Sequence, residues 1–312
     1  MFTIETVSKN LTDKEEDMQT KTSRKKWLEI GFFAVMVAPA ILHFCIFYIY
    51  INSQSLLLAI QDESGFTLKY LQMFFNQLTK SGSDITLALK NTMTFFLVGN
   101  FFMFPLSLLF SYLLYKKLIG YQYFRIVFFL PSIISSVVMV TLYKEIINGP
   151  ISEIYMKIVG QSYLPLFLNS SEYALTFILI YQLWLGLAGN MIIYSGTMSR
   201  IPQEVIESVK LDGIGFWGEL IHMIIPLIWP TISTMLLLNF VNIFGASGPI
   251  LLFTQGDYET TTIAYWIFEQ SVATNPDYNY AAATGLVFTF VQLPIVFFVR
   301  WLTKKVGGSV EY

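Results

Sequence analysis

Six long apolar stretches constrain the fold of this chain more than any other feature of its sequence. Each is close to the ~20 residues that a helix needs to cross the hydrocarbon core of a bilayer. They lie at about 28–51, 89–114, 124–146, 173–197, 224–253 and 280–303. In lipid every backbone polar group must find its partner inside the protein, and a helix provides this within a single segment. The sequence therefore predicts an all-α integral membrane protein built as a six-transmembrane-helix bundle.

Composition and charge exclude several other classes of protein. Charged residues make up 13% of the chain, compared with about 25% in soluble domains. The net charge of -2 gives no indication of a nucleic-acid partner, and Cys45 is the one cysteine, so no intrachain disulfide can form. The sequence has no Gly-x-x-x-x-Gly-Lys-Ser/Thr phosphate-binding loop. We therefore expect no cofactor bound by this chain, no catalytic site and no metal site.

The basic residues predict the orientation of the helices. Lysine and arginine accumulate in the cytoplasmic loops of membrane proteins. With six spans, fourteen lysine and arginine residues fall on the side of the two termini and four on the opposite side. The remaining one, Lys90, lies near the start of the second span. We therefore expect a cytoplasmic segment at 1–27, a transmembrane domain at 28–305 with a cytoplasmic loop at about 199–226, and a cytoplasmic tail at 306–312.

One polar stretch, Ile201 to Pro230, interrupts the apolar pattern between the fourth and fifth blocks. Glu204 and Glu207 stand in the first turns of a predicted helix, where the helix dipole favours negative charge. Gly213 can take the left-handed conformation that ends a helix. A second short helix is predicted at about Phe216 to Ile224. The pattern indicates two short helices that meet at an elbow on the membrane surface.

This stretch resembles the EAA loop in permease subunits of binding-protein-dependent ABC importers. The family pattern is roughly I-P-x-E-x-x-E-A-A-x-x-D-G-A, followed further on by L-P. Seven positions here match it: Ile201, Pro202, Glu204, Glu207, Asp212, Gly213 and Pro226. Ser208 and Val209 stand in place of the two alanines. The resemblance implies a type I importer permease fold whose elbow is a cytoplasmic two-helix coupling loop.

The resemblance also implies partners and a coupling role for the elbow. The elbow would dock on a cytoplasmic ATPase dimer, which would bind ATP and Mg in place of this chain. A second permease subunit would supply the other half of the path, and an extracytoplasmic solute-binding protein would deliver the solute. The implied location is the cell membrane of a prokaryote. The coupling residues would be Glu204, Glu207, Ser208, Asp212 and Gly213.

Shorter stretches resemble the sugar-class, MalF-like permeases of this family. Asn91-Thr92 opens the second span, Leu130-Pro131 lies in the third, Trp184-Leu185-Gly186 in the fourth, and Ala281-Ala282-Ala283 near the start of the last. One departure is Thr254-Gln255-Gly256-Asp257, where the family often has T-x-G-G-P. The resemblance covers about residues 28–305 and implies that the transported solute is a carbohydrate, with an oligosaccharide favoured.

Amide side chains inside the spans are candidates for the substrate path. Gln182 and Asn190, with Gly186 between them, recur every four residues and so share one face of the fourth span, and Asn239 and Asn242 are neighbours on the fifth; Gly186 is a candidate through the space that it leaves on this face. Polar side chains within a membrane usually face the bundle interior or a water-filled cavity. Amides both donate and accept hydrogen bonds, as sugar hydroxyls require. Alternatively, these side chains only bind neighbouring helices, at about 0.6–2 kcal/mol each.

The residues leave three other functions open. A permease for a non-sugar solute would share the elbow. An ion-coupled secondary transporter would need intramembrane acids or broken helices in corresponding halves, and the predicted spans are poor in Asp and Glu. A membrane scaffold or sensor would need no polar face in spans four and five. Copurification of a nucleotide-hydrolysing subunit would separate the last two from an importer.

Overall fold

The computed structural model describes residues 26–27, 29–62, 65–80, 82–118, 120–160, 164–211, 213–245 and 248–307. At 132, 209 and 210 only the backbone is described. The segment 1–25, Asp212 and the tail from 308 therefore lie outside the described residues, and the predictions made for them stay predictions. The chain divides into two compact units, 1–58 and 59–312.

The first unit contains most of one long helix, α1 (Glu29–Ile60), which is long and apolar enough to cross a membrane. It extends beyond the first predicted block, because polar residues near its end bond to their own helix. The side chains of Asn52 and Ser53 donate to carbonyls of Tyr48 and Tyr50, at 2.8 and 2.7 Å. The helix therefore ends at Ile60, later than the end of the predicted apolar block at about residue 51.

The second unit begins with an antiparallel pair of two-residue strands, β1 (Gln61–Asp62) and β2 (Gly65–Phe66). All its longer elements are helices, which confirms the all-α class. They are α2 (Lys69–Thr79), α3 (Asp84–Tyr115), α4 (Tyr121–Ile133), α5 (Ser136–Val159), α6 (Ala174–Met198), α7 (Gln203–Leu211), α8 (Phe216–Leu227), α9 (Trp229–Val241), α10 (Ile250–Phe253), α11 (Ile263–Val272) and α12 (Tyr278–Gly307).

The described residues contain four to six candidate membrane crossings. The helices α1, α3, α6 and α12 are each long and apolar enough to cross a membrane as single helices. Two further crossings would be bent pairs: α4 with α5, bent by 106°, and α8 with α9, bent by 75°. The predicted spans at about 124–146 and 224–253 therefore fall on these two bent pairs, and the six-span prediction holds if each pair forms one span.

Backbone geometry explains both interruptions. Between α4 and α5, Ile134 and Ser135 are extended, with ψ angles of 143° and 136°, so the helical hydrogen bonds cannot continue. Between α8 and α9, Ile228 has a φ of -97° and a ψ of 10°, outside the helical range, and Pro230 in the first turn of α9 has no N–H to continue the helical hydrogen bonds. A count of apolar residues detects neither break, because each break lies within a stretch that is apolar overall.

Aromatic side chains fill much of the core of the second unit. Tyr181 is fully buried, with its ring centroid 5.1 Å from that of Tyr143 and 5.0 Å from that of Phe253. The ring of Phe244 lies 4.5 Å from that of Phe288. Edge-to-face and tilted pairs of this kind contribute about 0.5–1.5 kcal/mol beyond the area they bury. Tyr181 and Phe244 therefore pack the core, although aromatic rings in such spans could also have stacked on a sugar.

Cysteine labelling tests the predicted orientation of the chain. After Cys45 is replaced by alanine, a cysteine at Gln203 is expected to react only from the cytoplasmic side and one at Asp257 only from outside. Both positions are exposed, so reagent access depends on sidedness and not on burial. Reaction of both cysteines from the same side would contradict the six-span topology.

Candidate coupling site and substrate path

The elbow has the two-helix form that the sequence predicts. The helix α7 ends at Leu211, α8 begins at Phe216, and Gly213 between them takes a φ of +70°. Residues other than glycine rarely adopt this left-handed backbone conformation. The predicted helix end at Gly213 is therefore confirmed, and a residue with a Cβ there would strain the angle between the two helices.

One face of the elbow is exposed and carries the predicted coupling residues. Glu204, Glu207, Ser208 and Gly213 are all exposed. Two of them make hydrogen bonds within α7: Glu207 Oε1 accepts from Gln203 Nε2 at 3.3 Å, and Ser208 Oγ donates to a backbone carbonyl. These bonds leave the carboxylates accessible to a partner.

Large apolar side chains lie on the same two helices as the exposed acids. Leu211 is 89% exposed and Trp217 is 59% exposed. Exposed apolar groups beside charged ones are typical of protein contact surfaces. The docking role of the elbow remains a prediction, and the geometry is compatible with it.

The opposite face of α8 is buried against the transmembrane helices. Leu220, Met223 and Ile224 pack in one apolar cluster with Tyr112 of α3 and Tyr194 of α6. The Tyr112 hydroxyl also donates a long hydrogen bond, 3.4 Å, to the carbonyl of Phe216. Because interiors are close-packed and resist compression, movement of the elbow would be transmitted to α3 and α6.

A buried ion pair, which the sequence analysis did not identify, also fixes the elbow to α3. Lys116 Nζ lies 2.5 Å from Glu219 Oε2, and Glu219 is only 4% exposed. In the sequence, Lys116 is only one of the fourteen basic residues on the side of the two termini. The feature of the sequence that could have indicated this ion pair is Glu219, a single acidic residue in the largely apolar helix α8.

At the other end of α3, two polar residues bind the segment between α10 and α11. Asn91 Nδ2 donates to the carbonyls of Glu259 and Thr261 at 2.7 and 2.8 Å. Thr92 Oγ1 accepts from the backbone N–H of Ile263 at 2.9 Å. Both side chains are buried. The Asn-Thr pair, which the sequence analysis noted only as a resemblance, therefore positions a loop about 170 residues away.

This loop, which we define as residues 254–262, has an unusual backbone. Gln255, Tyr258 and Glu259 all have φ angles between 54° and 56°, in the left-handed region. The loop is held by side-chain bonds, including one from the Tyr265 hydroxyl to the carbonyl of Gln255 at 2.7 Å. Burial, and to a smaller extent the charges of Glu269 and Asp257, raise the pKa of Tyr265 above its ordinary value. The departure from T-x-G-G-P therefore coincides with a rigidly bonded loop.

Gln182 and Asn239 have the environment expected of path residues. The Oε1 atom of Gln182 and the Nδ2 atom of Asn239 are buried, and neither has a hydrogen-bond partner among the described residues. Gly248 lies beside Gln182, since a Cβ added there would be 2.5 Å from Oε1. Asn190 is 8% exposed on the same helix. Unpaired buried polar atoms are rare and often mark functional positions.

The surroundings of Gly186 and Asn242 are different. A Cβ added at Gly186 would lie 2.1 Å from the Met103 sulfur, so this glycine allows close approach of α3 and α6. Asn242 bonds to the end of its own helix. Their assignment to the substrate path stays a prediction, and in each case a structural role is visible.

Asn100 on α3 is a further candidate that the sequence analysis missed. Its Oδ1 atom is buried without a partner among the described residues, while its Nδ2 donates to the Phe96 carbonyl at 3.0 Å. It lies in a π-helical turn, Gly99–Met103, and such turns occur frequently at functional sites. The missed signal was an amide within the second span, equivalent in chemistry to those considered in spans four and five.

Replacement of Glu207 by alanine is expected to weaken association with the ATPase and to reduce uptake. A charge-assisted hydrogen bond contributes about 1.5–3 kcal/mol, which is roughly ten- to hundredfold in an association constant. The measurement is the amount of ATPase that copurifies with the chain. Glu145→Ala removes an exposed acid from α5 and is the control. Normal copurification of the ATPase with Glu207→Ala would rule out this role.

Comparisons with known proteins agree with this architecture. The family model described as "Binding-protein-dependent transport system inner membrane component" matches residues 103–308, more than half of the chain. A lactose transport system permease protein, LacF of Rhizobium radiobacter, is 25% identical over 92% of this chain and 98% of its own length. A sn-glycerol-3-phosphate transport system permease protein, UgpA of Pectobacterium atrosepticum, is 23% identical over 91% and 97%.

The fold is also that of a solved transporter structure. A chain in the crystal structure of a bacterial ABC transporter, involved in the import of the acidic polysaccharide alginate, superposes with a TM-score of 0.77. The alignment covers 93% of this chain and 100% of the other, at 22% identity. With the two-helix elbow and the family match, this chain belongs to the inner membrane components of binding-protein-dependent transport systems.

Proposed function

We propose that this chain is the permease subunit of an ABC importer for a carbohydrate. It would form half of the translocation path and couple that path to ATP hydrolysis on a partner. Members of this family are transport components and not catalytic enzymes. The single observation that carries the proposal is the elbow, in which Gly213 joins α7 to α8 and Glu207 is exposed, within the sequence that matches the family.

The proposed partners follow from the surfaces of the chain and from its family. The exposed face of the elbow would dock in a groove of a cytoplasmic ATPase dimer, which holds ATP and Mg. A second permease subunit would complete the path, and a solute-binding protein would deliver the solute from outside the cell. Both termini would be cytoplasmic in the plasma membrane of a prokaryote.

The coupling mechanism uses the two faces of the elbow. ATP-driven closure of the ATPase dimer would push on α7 and α8, and the apolar cluster and the Lys116–Glu219 pair would transmit the movement to α3 and α6. The bundle would then alternate between inward- and outward-facing states. Such coupling requires that ATP binding has different free energies in the two states.

Buried amide atoms on α3, α6 and α9 support a carbohydrate as the solute. Buried unpaired atoms of Asn100, Gln182 and Asn239 include both acceptors and a donor, and sugar hydroxyls can satisfy both kinds. LacF and the alginate transporter are named for a sugar and a polysaccharide. UgpA is named for a phosphorylated solute, so a permease for a non-sugar solute is the second candidate.

Reconstitution tests the proposal directly. The complex is purified with its partners, placed in vesicles and supplied with ATP, the solute-binding protein and either neutral oligosaccharides or sn-glycerol-3-phosphate. We expect ATP-dependent uptake of an oligosaccharide. Uptake of the phosphorylated solute alone would favour the second candidate. Uptake driven by an ion gradient without ATP would contradict both candidates.

Replacement of Gln182 by leucine is expected to reduce uptake per assembled complex by up to about tenfold, since one hydrogen bond contributes about 0.5–1.5 kcal/mol. The ATPase should remain bound and the melting temperature should be unchanged. Gln72→Leu, on the exposed surface of α2, is the control. Normal uptake per complex with lowered thermal stability would assign Gln182 to packing.

Gly186→Leu is a less specific variant, although it should also lower uptake by filling space. A larger side chain there must displace Met103, which disturbs the packing of α3 on α6. Loss of assembled complex in this variant, with normal uptake in Gln182→Leu, would remove both residues from the proposed path.

A further inference from the structure

Two adjoining cavities lie where α3 ends and α4 begins, beside the elbow. The larger one, which we call the basic cavity, has a volume of about 720 Å³ and is bordered by α3, α4, α6 and α7. The smaller one, the apolar slot, has a volume of about 180 Å³ and lies between α3 and α4. Leu114 and Tyr121 line both, so the two cavities share a wall.

The basic cavity is positively charged. Lys117 and Arg125 line it, together with Gln203 and the hydroxyl-bearing residues Tyr115 and Ser199, and no acidic residue is among its described lining. The neighbouring lysine, Lys116, is neutralised by Glu219. Within the described part of the chain neither Lys117 nor Arg125 forms an ion pair. Two charges therefore remain available to an anion.

The backbone places Lys117 at the rim of this cavity in a strained conformation. Its φ angle is +51°, in the left-handed region that glycine usually supplies after a helix. Its backbone N–H donates to the Leu114 carbonyl at 3.1 Å, which ends α3 directly below it. Strain of this kind is typical of functional positions, where the surrounding structure enforces it.

The apolar slot has the opposite character. Phe110 and Leu113 of α3 face Phe124 and Phe128 of α4 across it, and the rings of Phe110 and Phe128 are 5.0 Å apart. Of the residues that line the slot, Tyr121 alone carries a side-chain polar group. A ligand that filled both cavities would need an anionic group joined to a hydrocarbon chain.

The geometry points to a binding site for an anionic phospholipid at the membrane surface beside the elbow. The phosphate would lie between Lys117 and Arg125, and an acyl chain would follow the apolar slot between α3 and α4. Basic pockets next to transmembrane helices recognise anionic head groups, and each lysine or arginine near the surface contributes roughly fivefold in affinity. Tyr115 and Tyr121 also line the cavity, and tyrosine is enriched at the interface between membrane and water.

The position of the site gives it a consequence for coupling. The basic cavity is lined by Ile201, Gln203 and Ile206, from the start of the elbow, as well as by α3 and α4. A lipid bound there would hold these elements together. Inorganic phosphate would satisfy the two cations but leave the slot unused, and a helix from a partner protein would require an acidic group at the matching position.

Lipid exchange into the purified complex tests the site. The complex is titrated with phosphatidylglycerol in a phosphatidylcholine background, and bound phosphatidylglycerol is counted by native mass spectrometry. Replacing both Lys117 and Arg125 by glutamine is expected to lower the affinity by about thirtyfold, since two charges are removed. The control makes the same change to glutamine at Lys304 and Lys305, two basic residues at the end of α12 that do not line the cavity. This control should leave the affinity unchanged.

A second variant keeps both charges. Leu118→Trp replaces a half-exposed leucine at the mouth of the slot by a larger, aromatic side chain. This variant should also lower phosphatidylglycerol binding. Wild-type affinity in both variants would overturn the proposal. So would displacement of the lipid by inorganic phosphate, or loss of a partner subunit in the charge variant while phosphatidylglycerol stays bound, because the surface would then be a protein interface.

Discussion

Replacement of Lys116 by methionine is expected to destabilise the assembled permease by about 3–5 kcal/mol, because it leaves a buried carboxylate without its partner. Glu219 is 4% exposed, and its second oxygen, Oε1, already lacks a hydrogen-bond partner among the described residues. The measurement is the melting temperature of the purified complex, read beside the amount of bound ATPase. Both should fall, since this pair holds α8 on the end of α3.

The double variant Lys116→Met/Glu219→Leu provides the decisive comparison. Replacing both members of a buried pair by apolar residues is often neutral, because no uncompensated charge remains. We therefore expect the double variant to recover most of the lost stability. Lys157→Met, at an exposed position on α5, is the matched control. A single variant that melts like the wild type would show that the pair contributes nothing to the elbow.

Replacement of Asn91 by leucine is expected to release the loop at 254–262. Asn91 is 2% exposed and satisfies two backbone carbonyls, and each acceptor left unpaired in a buried place costs about 1–3 kcal/mol. The strained backbone of this loop makes it depend on such bonds. Hydrogen exchange should become faster at 254–262 and stay unchanged in α7 and α8.

Two variants accompany that experiment. Thr92→Val removes one acceptor for the Ile263 N–H and should have a smaller effect on the same loop. Asn76→Leu, on the exposed surface of α2, should have none. Unchanged exchange at 254–262 in Asn91→Leu would mean that the loop is held by its own internal bonds, such as that between Thr254 and Thr260.

Much of the candidate site could be predicted because the relevant chemistry is local. A glycine such as Gly213 can end a helix through its own backbone conformation, without help from distant residues. The elbow was therefore predictable from a single stretch of sequence. The exposure of Glu204 and Glu207 also follows from local pattern. The buried amide of Gln182 was predicted from its spacing along one helix, and its environment in the structure is consistent with that prediction.

The sequence by itself determined that this is a helical membrane protein and where its elbow lies, because helix length, apolarity and turn chemistry depend on neighbouring residues. Only the tertiary structure decided which distant groups meet. Lys116 pairs with Glu219, 103 residues away, and Asn91 binds a loop 168 residues away. It also decided that two apolar blocks bend, since long-range packing selects among conformations that local hydrophobicity allows equally.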